Sequence, residues 1–89
     1  MLDAKTQGEA LARLKKIEGQ IRGVARMVEE TKYCIEIVNQ ITAARRALEK
    51  VALLVMQQHM ATCLTEAVTQ QQGTPKIKEL VRTLDQFLR

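Results

Sequence analysis

The chain has 89 residues, with fourteen Lys and Arg against ten Asp and Glu, no Trp, one Tyr and one Phe. A domain of this size holds three helices but cannot bury a generous core alone, so self-association is expected. The positive excess favours an anionic partner, nucleic acid ahead of acidic protein; no apolar run approaches the roughly 20 residues of a membrane span, so no membrane partner and a cytoplasmic location are expected.

From Ala10 onward the apolar residues Leu14, Ile17, Ile21, Val24 and Val28 follow one another at alternating spacings of three and four. This heptad seam predicts a first helix over about residues 5–30 with one packed stripe. Glu30-Thr31-Lys32-Tyr33 breaks the register and supplies Thr31 as a cap. A second helix is predicted over about 33–71, free of Gly and Pro, with Ile37, Ile41, Ala44, Leu48, Val51 and Val55 on one face. At about 1.5 Å per residue it would run nearly 60 Å, too long to be stabilised by folding back on so short a chain. The economical partner is its own two-fold mate. Gly73, Thr74 and Pro75 fit a helix end, an N-cap and a first helical position. They predict a third helix over about 75–88, striped by Ile77, Leu80, Val81, Leu84 and Leu88. The fold class expected is all-α, a single domain over residues 1–89.

The second helix carries every Cys and His of the chain: Cys34, His59 and Cys63. His59 and Cys63 are four residues apart, so imidazole and thiol stand one above the other on a helix face, which makes half of a metal site. Cys34 lies within about 20° of them on the helical wheel but about 37 Å away along the axis. One chain cannot bring all three to one ion. An antiparallel pairing of two copies can, because it lays the start of one second helix beside the end of the other. That register puts the two-fold near Ala47 and Leu48, with Ala44 opposite Val51 and Ile41 opposite Leu54, apolar throughout. A buried Cys is usually a small hydrophobe, and a lone His near an apolar face is usually a hydrogen-bonded core residue. The coincidence of all three on one edge, in a register the core accepts, favours ligation instead. Two thiolates and one imidazole without a fourth protein donor suit Cu(I), one per protomer; Zn(II) would want a fourth ligand and Ni(II) more nitrogen or oxygen. Tyr33 and a carboxylate of the third helix are candidates to orient the imidazole.

Lys15, Arg22 and Arg26 fall close together on the first helix, well away from the seam, with Arg13 and Lys16 towards its flanks. On the second helix Arg46 and Lys50 are expected away from the packed stripe and Arg45 at its margin. Such a face is commonly just solvated surface, but a dimer doubles it into a band able to track phosphates. Gly19 and Gly23 each cost about 1 kcal/mol relative to Ala in a helix, which suggests close approach by another helix or a phosphate. No helix-turn-helix, zinc-finger spacing or stacking aromatics name a binding mode.

The segments RLKKIEGQIRGVARMVEE, YCIEIVNQITAARRAL and HMATC resemble the copper-sensitive operon repressor family, over about Leu11 to Leu88. The resemblance implies an antiparallel four-helix bundle formed by a homodimer, with dimers pairing into a homotetramer. It implies Cu(I) held by Cys34 of one protomer with His59 and Cys63 of the other, Tyr33 and Glu79 behind them, and Arg13, Arg46 and Lys50 on a surface that binds double-stranded operator DNA. The apo form would repress copper-efflux genes and release DNA on loading. Within that family, persulfide sensors lack the histidine. Nickel and cobalt sensors place a histidine where this chain has Cys63, and formaldehyde sensors lack that cysteine and carry a proline where this chain has Leu2; the donor set therefore points to copper. A cytosolic copper buffer or carrier is the alternative of another class. No enzyme is expected, because no nucleophile with a paired base can be assembled.

Overall fold

The computed structural model describes residues 2–70 and 73–89, and for 67–70, 73, 74 and 76 the backbone alone. Three helices follow in order, α1 (Ala4–Glu29), α2 (Cys34–Gln70) and α3 (Gly73–Leu88). No strand occurs among the described residues, so the chain is all-α. The expected end of the second helix at Gln71 lies outside the described residues. Thr74, expected as an N-cap, falls inside α3, which starts at Gly73. Pro75 is then in the first helical turn, where its missing N–H has no intrahelical partner to lose.

The chain divides into two compact units, Leu2–Val55 and Met56–Arg89. The first unit is a helical hairpin. Asp3 starts it as an N-cap, its carboxylate accepting the Thr6 N–H at 2.7 Å and filling one of the orphan donors of the first turn. At the other end of α1 the chain turns through Thr31, which adopts φ 50°. The Thr31 N–H reaches the Val28 carbonyl at 3.1 Å and the Lys32 N–H the Met27 carbonyl at 3.0 Å. This is a Schellman ending, usually made with glycine in the left-handed position. Thr31 therefore caps α1 at its C-terminus, in a conformation that a β-branched residue resists. Its hydroxyl donates to the Glu30 carbonyl at 2.8 Å, a partial compensation. Thr31→Gly is expected to stabilise the protein by about 0.5–1 kcal/mol in a denaturation midpoint; an unchanged or lowered midpoint would show that the threonine is not strained there.

Inside the hairpin, Ala10 and Ile17 of α1 pack with Val51 of α2, flanked by Ala47 and Leu54. The seam read from the sequence as one packed stripe is divided. On α1 the column Ala10–Ile17–Val24 faces inward, whereas Leu14, Ile21 and Val28, about 40° further round, are exposed. On α2 the column Ile37–Ala44–Val51 is buried or half-buried, and its neighbour Ile41–Leu48 is exposed at 49% and 43%. The reason is geometric: two helices in contact cover about one column each, and a stripe two columns wide leaves the second bare. At Gly19 and Gly23 an added Cβ would meet nothing within 4 Å among the described residues. The close approach expected of them is not made by this chain's own helices.

The second unit joins the end of α2 to α3. Cys63 is its buried apolar residue among those described, at 2% exposure. Of the α3 stripe, Leu80 and Leu84 are half-buried while Ile77, Val81 and Leu88 are exposed. None of the described helices is long and apolar enough to cross a membrane.

Candidate metal centre and basic groove

Cys34 is the first residue of α2 and is exposed. The carbonyl of Tyr33 accepts the Ile37 N–H at 3.2 Å, so Tyr33 is the residue that starts the helix; its side chain is 68% exposed. Successive steps of seven from Cys34 lead to Ile41 and Leu48, so the thiol heads the bare apolar column.

In the second unit His59 is exposed and Cys63, one turn on, is buried. Glu79 is exposed on α3, and its carboxylate takes part in no hydrogen bond or ion pair among the described residues. Both cysteines are free thiols, as two thiolate ligands must be. Among the described residues no group of three or more His, Cys, Asp or Glu comes together within one chain. Two thiols and one imidazole are a donor set that fits a soft monovalent ion chemically.

The cationic residues divide between two environments. Arg13 and Lys16 of α1 with Arg46 and Lys50 of α2 line one groove of about 670 Å³ in the hairpin unit. Glu9 and Gln20 complete its polar rim, and Ala12, Ile17, Ala43 and Ala47 its apolar part. Ile17 also belongs to the helix–helix core, so the groove runs along the flank of that contact. Arg46 and Lys50 are therefore beside the packed stripe, nearer to it than their wheel positions suggested. Lys15, Arg22, Arg26 and Arg45 do not line the groove. Arg22 pairs with Glu18 at 3.5 Å and Arg45 with Glu49 at 4.0 Å, both on exposed surface. Such pairs contribute roughly 0–1 kcal/mol each.

Glu9 and Gln20 were missed by the sequence reading. Their signal was present: Glu9, Arg13, Lys16 and Gln20 repeat the 4-3-4 spacing of the apolar seam, one face further round.

The chain matches the family model described as metal-sensitive transcriptional repressor over residues 6–86. It belongs to that family. The family is one of repressors, not enzymes. The chain is 37% identical over 84 residues to the copper-sensing transcriptional repressor CsoR of Bacillus subtilis, a match covering 94% of this chain and 83% of that protein. To the copper-sensing transcriptional repressor RicR of Mycobacterium tuberculosis it is 50% identical over 58 residues, 65% of this chain and 60% of the relative. Among solved structures it is similar to the Cu(I)-bound copper-sensing repressor CsoR of Geobacillus thermodenitrificans. That match has TM-score 0.91 and 35% identity, and covers all of this chain and 93% of the other. It is also similar to the nickel-responsive transcriptional regulator InrS, with TM-score 0.81, 40% identity and 90% of each chain covered.

Proposed function

We propose that this protein is a Cu(I)-responsive transcriptional repressor, a cytoplasmic homodimer that pairs into a homotetramer, holding operator DNA in its apo form and releasing it when Cu(I) binds. Cys34 of one protomer with His59 and Cys63 of its partner would hold one ion per protomer. The observation that carries this reading is the position of Cys34. It heads a column of exposed apolar side chains on α2 that a second copy would cover, while among the described residues of one chain no three donors come together. The relatives named for copper sensing support the choice of metal. The bound ion would supply soft coordination that ties two chains together; everything else in the response is done by the protein's own residues.

Repression rests on the groove cations Arg13, Lys16, Arg46 and Lys50, which meet phosphates and displace condensed counterions. Release follows from linkage: if Cu(I) favours the state with poor DNA affinity, DNA must weaken Cu(I) binding by the same factor. Cys63 is buried and His59 exposed. Binding both to one ion would draw on the second unit, and Glu79 on α3 is the residue we propose to carry that change. Glu79→Ala is expected to leave Cu(I) affinity within about threefold while leaving much of the repression in place at saturating Cu(I); full release of DNA by that variant would eliminate the relay.

The test of the whole reading is a fluorescence-anisotropy titration of a labelled duplex from upstream of the protein's own gene. Reduced protein is used under anaerobic conditions, alone and with Cu(I), Zn(II) or Ni(II). Tight apo binding abolished by one Cu(I) per protomer, and by neither other metal, is the expected result. Release by Ni(II) instead would favour a nickel sensor, the reading raised by the 40% identity to InrS. Absence of DNA binding would leave a copper carrier.

A further inference from the structure

The groove holds one anion among four cations. Of the lining residues only Glu9 is negative, and it makes an ion pair with Arg13 at 3.3 Å. Lys16, Arg46 and Lys50 make no ion pair among the described residues. One of the four cations is thus occupied by an internal carboxylate and three are available. The remaining lining is small or neutral: three alanines, Ile17 and Gln20. Such a surface offers room for a sugar–phosphate segment without a bulky side chain in its path.

We infer that Glu9 is an internal competitor for DNA phosphate, a latch on Arg13 that a phosphate must displace before the groove is fully engaged. The inference rests on the repressor reading and adds a residue to it that sets how tightly DNA is held. The strength of the latch follows from its setting. Both side chains are about half exposed, 48% for Arg13 and 44% for Glu9. An exposed pair of this kind is worth roughly 0–1 kcal/mol, so phosphate can displace it. The carboxylate then remains beside the phosphate and repels it. Both effects hold affinity below what four free cations would give. A repressor that must let go of DNA on a modest signal gains from such a restraint, because a smaller coupling free energy suffices to empty the site.

Glu9→Gln keeps the side chain's length and removes its charge. Each engaged groove then carries one more net positive charge, which steepens the dependence of log K on log salt by up to about 0.9, and affinity rises up to about fivefold because no exposed ion pair has to be displaced. The experiment titrates the labelled upstream duplex with wild type, Glu9→Gln, Arg13→Gln and the double variant at four salt concentrations. Cu(I) affinity of each is read by competition with a chromophoric chelator, and helicity by circular dichroism. The expected result is tighter, more salt-dependent binding by Glu9→Gln, a clearly smaller gain when Arg13 is already Gln, and Cu(I) affinity unchanged throughout. An unchanged slope and affinity in folded Glu9→Gln, with wild type binding normally, would overturn the latch. So would an equal gain in the Arg13→Gln background, since the carboxylate would then act as a diffuse charge. If wild-type protein shows no salt-dependent binding to the duplex, the repressor reading fails first and takes the inference with it.

Discussion

Cys34→Ser and Cys63→Ser protomers, each expected to have lost tight Cu(I) binding as homodimers, are expected to recover about a quarter of the sites when co-refolded in equal amounts. The figure follows from symmetry. Random assortment makes about half of the dimers mixed, and each mixed dimer has one site with Cys34 from one chain and His59 with Cys63 from the other. Its second site lacks both thiols. Were the three donors to come from one chain, mixing would restore nothing, because every chain carries a lesion. Because Cys34 heads the bare apolar column that a second copy would cover, recovery is the expected outcome of the proposed shared site. Cu(I) stoichiometry by chelator competition, together with thiolate-to-copper charge-transfer absorbance, reads the result. Zero recovery from a mixture that demonstrably exchanges subunits would exclude the shared site.

Leu48→Glu is expected to break the dimer and, with it, the Cu(I) site. Leu48 is 43% exposed and belongs to the bare column of α2, outside the Ala10–Ile17–Val51 core. The substitution therefore spares the hairpin's own packing. In the antiparallel pairing the sequence suggests, residue 48 lies near the two-fold, so two carboxylates would be brought together in an apolar contact. Uncompensated buried charge costs about 3–5 kcal/mol, which raises the dimer dissociation constant by about a thousandfold. Sedimentation equilibrium at micromolar concentration should give monomer where wild type gives dimer or tetramer. Cu(I) affinity should fall in parallel, since His59 and Cys63 would lose their third donor. A Leu48→Glu protein that remains dimeric would show that another surface joins the chains.

The helices were legible because their signals are local. Heptad spacing, the break at Thr31 and the Gly-Thr-Pro run place the starts of all three helices, and the ends of the first and third, within two residues of where they are found. Local signals marked Thr31 as a cap of the kind that starts a helix, whereas it closes the end of α1. The left-handed turn is fixed by hydrogen bonds to Met27 and Val28 across the helix end, which spacing does not encode. The donor residues Cys34, His59 and Cys63 stood out by residue type and wheel position, both readable without coordinates. Their unequal exposure did not.

What the sequence determined by itself is therefore the helical class, the element order and the inventory of soft donors. Each follows from periodicity along one strand of chain or from the chemistry of single residues. Tertiary structure decided which half of each apolar stripe is used within the chain. It also decided which cations gather: Arg13 and Lys16 meet Arg46 and Lys50 in one groove, Arg22 and Arg45 stay out of it in pairs with Glu18 and Glu49, and Glu9 is drawn in beside Arg13. The physical reason is that a helical wheel gives directions about one axis only. How far two helices are rotated against each other, and so which residues share a groove, is settled by the fit of Ala10, Ile17 and Val51, a contact between residues far apart in the chain.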